Sequence, residues 1–128
     1  MPSAKIVIVG AGSLSFGVST IADLLQEQSL RGSTLALVDI DRQALALVAA
    51  LAQRANDEWA CGMKIERATE RRRALPDADF VIVSVEVERE KRWRLDWEIP
   101  AKHGVIQPAR ENGGPGGFAH AMRNIPIV

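Results

Sequence analysis

Apolar positions along this chain alternate between two rhythms. Ile6-Val7-Ile8-Val9 is an unbroken aliphatic run, the pattern of a strand over 5–9 that is buried on both faces of a parallel sheet. Leu14, Val18, Ile21, Leu24 and Leu25 then recur at helical spacing and predict a helix with one apolar face. The turn Arg31-Gly32-Ser33 leads into a second strand over 34–38. Asp41 stands where it can cap a helix whose stripe is Leu45, Val48, Ala52, Ala55 and Trp59. After Gly62 a shorter strand is expected over 63–67, and beyond the loop Leu75-Pro76-Asp77-Ala78 a fourth over 80–84.

Such alternation predicts a parallel sheet with right-handed crossovers, strand order 3-2-1-4, and helices on both faces. Beyond Ser84 the rhythm changes. A helix is expected over 90–99, with Trp93 and Trp97 on one face and Pro100 marking its end. The tryptophans read as packing groups, with sugar stacking as the other reading. Residues 104–117 are expected to form a loop, and 118–124 a further helix.

At 128 residues, the chain is long enough for one domain with a real core but short for a two-halved dinucleotide fold plus a substrate domain. The expectation is a single domain, 1–128, that stops before the second half of such a fold. Sixteen basic residues balance sixteen acidic ones, so no general field draws in nucleic acid or an anionic membrane. No apolar run approaches the roughly 18 residues of a membrane span, and the start Met1-Pro2-Ser3-Ala4-Lys5 lacks a signal-peptide pattern. A cytoplasmic protein is expected. The lone Cys61 reads as an inert thiol, Arg71-Arg72-Arg73 as solvated surface, and His103 with His120 lacks metal-pair spacing.

The chemistry centres on Gly10-Ala11-Gly12-Ser13-Leu14-Ser15, between the first strand and first helix. A first glycine allows the tight bend and a second lets backbone approach a pyrophosphate, while the helix N-terminus offers N–H groups to the anion. Gly10 and Gly12 match these roles, Ser15 stands where a third glycine is usual, and Ser13, Leu14 and Phe16 complete the expected contacts. Asp39, at the end of the second strand, is placed to hold an adenosine ribose and to disfavour a 2′-phosphate, which points to NAD. Asp41 is the competing acid, although a helix cap explains it more simply. Val85 and Glu86, after the fourth strand, are further cofactor-side candidates, and Glu86 and Glu88 either serve the ligand or solvate the loop. An α/β turn without a ligand, a simple NAD-dependent 2-hydroxy-acid dehydrogenase and a stand-alone nucleotide-binding module share these features.

Two stretches narrow the choice. Lys5-Ile6-Val7-Ile8-Val9-Gly10-Ala11-Gly12-Ser13 resembles the start of glycoside hydrolase family 4. Asp96-Trp97-Glu98-Ile99-Pro100, Lys102-His103-Gly104-Val105 and Asn112-Gly113-Gly114-Pro115-Gly116-Gly117-Phe118, followed by Arg123-Asn124-Ile125-Pro126, resemble the same family. The resemblance implies a Rossmann-like three-layer fold and an NAD- and divalent-metal-dependent glycosidase, usually with manganese. Such enzymes oxidise the sugar at C3, remove the C2 proton, eliminate the leaving group, add water and reduce the ketone again. It places Glu111, Asn112 and Gly113 on the substrate side. The family's metal-binding cysteine and histidine and its proposed base, a tyrosine, lie downstream of the Gly-Pro-Gly-Gly block. This sequence has no tyrosine, and Cys61 precedes the block. No catalytic or metal residue is therefore expected within 1–128, and the chain reads as an amino-terminal portion, inactive by itself. An exposed sheet edge and incomplete core lead to an expectation of self-association.

Overall fold

A computed structural model describes residues 3–13, 16–106 and 113–128. The chain forms two compact units, Met1–Ser84 and Val85–Val128.

The first unit contains β1 (Lys5–Val9), α1 (Phe16–Gln26), β2 (Thr34–Val38), α2 (Arg42–Glu58), β3 (Lys64–Ala68), α3 (Arg71–Ala74) and β4 (Phe80–Val83). Its four strands form one sheet in the order β3-β2-β1-β4, and all three neighbouring pairs are parallel. This is the α/β arrangement expected from the alternating rhythm. Parallel neighbours need crossovers, and each intervening helix supplies one.

Side chains alternate across the strands, so the aliphatic runs feed two cores. Ile6, Ile8, Leu35 and Leu37 point toward α1 and α2, where they meet Ile21, Leu25, Leu45, Val48 and Ala52. Val7, Ala36 and Val38 form the other face, closed by Ala74 of α3. Cys61 is buried in the first cluster, as suits an inert thiol. Trp59 departs from the expected stripe: it lies one residue past α2 as its C-cap and is half exposed. Asn56 takes the inward position near that end. Its Oδ1 accepts the Met63 N–H (2.9 Å) and its carbonyl accepts the Cys61 N–H (2.9 Å), joining the helix end to the approach to β3.

The second unit holds α4 (Arg89–Lys102) and α5 (Gly114–Asn124), followed by a 3-10 turn over Ile125–Ile127. Asp96 of α4 and Arg123 of α5 form a two-pronged ion pair, with Arg123 Nη1 donating to Asp96 Oδ1 at 2.9 Å and Nη2 to Oδ2. The Asp96 side chain is almost fully buried. The planar guanidinium matches the carboxylate, so this pair sets the register between the helices.

Three expectations for this region need correction. Pro100 lies inside α4 rather than ending it, because loss of one N–H in the last turn breaks only one bond and the Pro100 carbonyl still accepts from His103 and Val105. The glycine-rich block is helical from Gly114, with Pro115 in the first turn, where its fixed φ suits a helix and its missing N–H needs no partner. Trp93 and Trp97 are half exposed, at 54% and 53%, so they are not core packing groups in this unit.

Packing of α1 on the sheet predicts one sharp sensitivity. A Cβ at Gly17 would collide with the Ala11 carbonyl oxygen, which is backbone and cannot swing aside. Gly17→Ala is expected to cost about 1–3 kcal/mol and to lower the melting temperature by more than about 5 °C in a circular-dichroism melt; an unchanged melt would show that the turn relaxes freely.

Candidate nucleotide-binding site

The candidate site is built at the carboxyl ends of β1 and β2. Gly10 follows β1 with φ of 87°, a left-handed conformation that favours glycine. The N–H groups of Gly10 and Ala11 both donate to the Val38 carbonyl, at 2.8 and 3.0 Å, stitching the turn to the last residue of β2. The chain then brings Gly12 against Asp39, and the Gly12 N–H donates to Asp39 Oδ2 at 2.8 Å. A Cβ at Gly12 would lie 2.8 Å from that oxygen and 3.0 Å from the Ala44 Cβ, so the close approach leaves no room for a side chain.

The two acids after β2 do different work. Asp39 Oδ1 accepts the Asp41 N–H at 2.9 Å, so the Asp39 carboxylate bridges two backbone segments. Asp41 caps α2, its Oδ1 accepting from Gln43 (2.9 Å) and Ala44 (3.1 Å), as its position before the helix predicted. Asp39 therefore remains the acid that faces the glycine turn. A carboxylate has about four lone-pair directions and Asp39 uses two on backbone, which leaves acceptor capacity for ribose hydroxyls.

Ser13 shapes the start of α1. Its carbonyl accepts the Gly17 N–H (2.9 Å), and its hydroxyl lies 3.4 Å from the Phe16 nitrogen in a capping position. Phe16 is the first residue of α1 and is partly exposed. Leu14 and Ser15 lie outside the described residues. Gly17 is the residue that the glycine pattern missed: a close helix-to-turn packing of the kind usually given to a third glycine occurs there, against Ala11. Its signal was available, since a glycine on the buried face of an otherwise apolar helix marks a close backbone approach.

The remaining candidates fall elsewhere. Val85 and Glu86 open the second unit, where Glu86 pairs with Arg89 at 3.2 Å. Gly113 precedes α5 with φ of 97°, which requires glycine, while Glu111 and Asn112 lie outside the described residues. His120 lies beside Asn124, whose Nδ2 donates to the His120 carbonyl at 2.9 Å. Among the described residues no three His, Cys, Asp or Glu side chains group as a metal site, and no helix is long and apolar enough to cross a membrane.

A parallel β-α-β unit with a glycine turn pressed against an acid at the end of the second strand defines the Rossmann-like class of dinucleotide-binding folds. These residues fit the adenosine and diphosphate half of such a ligand, because the glycine positions keep the surface bare and Asp39 supplies the acceptor.

The family model described as Family 4 glycosyl hydrolase matches residues 5–128, and the chain belongs to that family. It is 44% identical over 125 residues to an alpha-glucosidase of Erwinia rhapontici, covering 97% of this chain and 28% of that protein. An alpha-galactosidase of Rhizobium meliloti is 33% identical over all of this chain and 26% of its own length. The 6-phospho-beta glucosidase of Thermotoga maritima, solved with NAD and glucose-6-phosphate, superposes with a TM-score of 0.79 at 28% identity, over 98% of this chain and 29% of that one. A second structure of that enzyme, with manganese, NAD+ and glucose-6-phosphate, gives a TM-score of 0.76 at 27% identity, over 95% and 29% of the two chains. The chain thus spans little more than a quarter of the length of these relatives.

If Asp39 is the clamp between the turn and α2, Asp39→Ala should accelerate amide hydrogen exchange at Gly12 and Asp41 by about tenfold or more, the loss of one charge-assisted hydrogen bond each. The capped amides of Gln43 and Ala44 should keep their protection. Unchanged exchange at Gly12 would remove Asp39 from this role.

Proposed function

We propose that this chain is the cofactor-binding portion of a longer family 4 glycosidase and that its ligand is NAD. The single observation that carries the reading is the Gly10–Gly12 turn locked against Asp39, within a family match that covers nearly the whole chain. In the complete enzyme NAD would take up and return the hydride at sugar C3, and a divalent metal such as manganese would acidify the C2 proton for elimination of the glycosidic oxygen.

The residues of this chain bind and orient. Gly10 and Gly12 keep the turn free of side chains so that a pyrophosphate can approach the backbone, and the start of α1 favours its charge. Asp39 accepts hydrogen bonds from the ribose hydroxyls and fixes the long axis of the dinucleotide. Glu111, Asn112 and Gly113 are proposed as sugar-side contacts, and the catalytic base and metal ligands are placed outside residues 1–128.

Asp39→Asn in the full-length protein is expected to weaken NAD binding by about tenfold, since one ionic acceptor becomes neutral. Calorimetric titration checks this, and an unchanged affinity removes Asp39 from the ribose site. With NAD, manganese and an aryl glycoside in deuterated water, the full-length protein should release the aglycone and carry deuterium at C2, with no net NADH. Neither cleavage nor deuterium would reject the glycosidase reading, and net NADH from a hydroxy acid would favour a dehydrogenase.

Self-association is also proposed. β4 is an edge strand on which Phe80, Val81 and Val83 are 60%, 47% and 42% exposed, an apolar surface that favours pairing. Light scattering should give a mass above the monomer at high concentration; a monomer throughout would contradict this.

A further inference from the structure

The outward face of α2 carries two features that neither the sheet nor the candidate nucleotide site uses. Leu45, Val48, Ala49, Ala52 and Asn56 turn inward and are buried. Leu47 and Leu51, one turn apart on the opposite stripe, are 65% and 49% exposed. Ala50, exposed between them, keeps the surface low there. A single exposed leucine is ordinary, but a leucine pair at the middle of a 17-residue helix is an apolar seam.

The charges on α2 run against its own dipole. A helix favours acids in its first turn and bases in its last, and α2 has neither. Arg42 instead opens the helix, and Asp57 and Glu58 close it. Arg42 has no ion-pair partner among the described residues. Glu58 pairs with Arg54 one turn back at 2.6 Å, and Asp57 accepts from the neutral amides of Gln53 and Asn56 at 2.8 and 3.4 Å.

One partner answers both features. A second α2 laid antiparallel about the midpoint of the first, at Ala50, sets Leu47 and Leu51 against the partner's Leu51 and Leu47. The same arrangement brings Arg42 alongside the partner's Asp57 and Glu58, and two-fold symmetry repeats that pairing at the other end of the seam. A foreign helix would need this reversed charge pattern of its own, whereas a second copy supplies it by symmetry. We propose that the outer face of α2 is the interface of a two-fold dimer of this chain. Pairing buries the leucines and gives each helix end the opposite charge that its own sequence withholds. The β4 edge takes no part in this interface, and neither the NAD nor the glycosidase reading is needed for it.

Sedimentation equilibrium of the protein and its variants tests this, with circular-dichroism melts as the check on folding. Leu47→Lys/Leu51→Lys is expected to raise the dimer dissociation constant at least about tenfold and, because both positions are exposed, to keep the fold. Arg42→Glu separates the interface from the fold. An acid in the first turn favours α2, so this variant should melt no lower than wild type while its dissociation constant rises about threefold or more. Asp57→Arg should behave alike, and Arg42→Glu/Asp57→Arg should recover wild-type association. Ala50→Cys should cross-link to its copy through a short bis-maleimide, which the wild type, with Cys61 buried, should not do. A wild type that stays monomeric at every concentration would overturn the proposal. So would a dimer that survives the leucine variant and is lost in Val81→Lys/Val83→Lys, an outcome that leaves pairing at β4 standing. An Ala50→Cys thiol that no maleimide reaches would mean that another segment covers α2, and would overturn it as well.

Discussion

The Asp39 carboxylate is the constraint on which the first unit's working end depends. One oxygen takes the Gly12 N–H and the other takes the Asp41 N–H, so a single side chain ties the turn after β1 to the entry of α2. That bridge forces the backbone at Gly12 so close that no Cβ fits, and it releases Asp41 to cap the helix. A charged acceptor between two backbone donors is stronger than a neutral one, and here it holds in register the two strand ends where a ligand of this fold class sits.

The rest of the unit follows from making that junction rigid. Gly17 lets α1 pack down on Ala11, and the aliphatic strands bury their two faces against α1 and α2 on one side and Ala74 on the other. Asn56 does at the far end of α2 what Asp39 does at the near end, satisfying backbone donors that would otherwise be buried without partners. Membership of glycosyl hydrolase family 4 gives this geometry a context that the fold class alone does not supply.

How much was legible from the residues differs between the two units. In the first, strand, helix, cap and turn signals agree with one another, so element order and sheet order could be read directly. Arg71–Ala74 was harder, because four residues of helix carry too little periodicity to be distinguished from a charged turn. In the second unit local signals mislead. Pro100 and the Gly-Pro-Gly-Gly block both look like helix breakers, yet Pro100, in the last turn of α4, forfeits a single helical bond, and Pro115 lies in the first turn of α5, where N–H groups have no helical partner. The Asp96–Arg123 pair had no sequence signal at all, since its partners sit on different helices.

By itself the sequence determined the parallel α/β order of the first unit, the glycine turn, the acid at the end of β2 and the cap at Asp41. Each of these is local, written in hydrophobic period or in the residue type that a backbone position demands. Only the tertiary structure decided that Asp39 spans Gly12 and Asp41 and that Gly17 packs closely on Ala11. Those depend on distances between residues far apart in the chain, which the packing of helices on the sheet sets and a one-dimensional pattern does not contain.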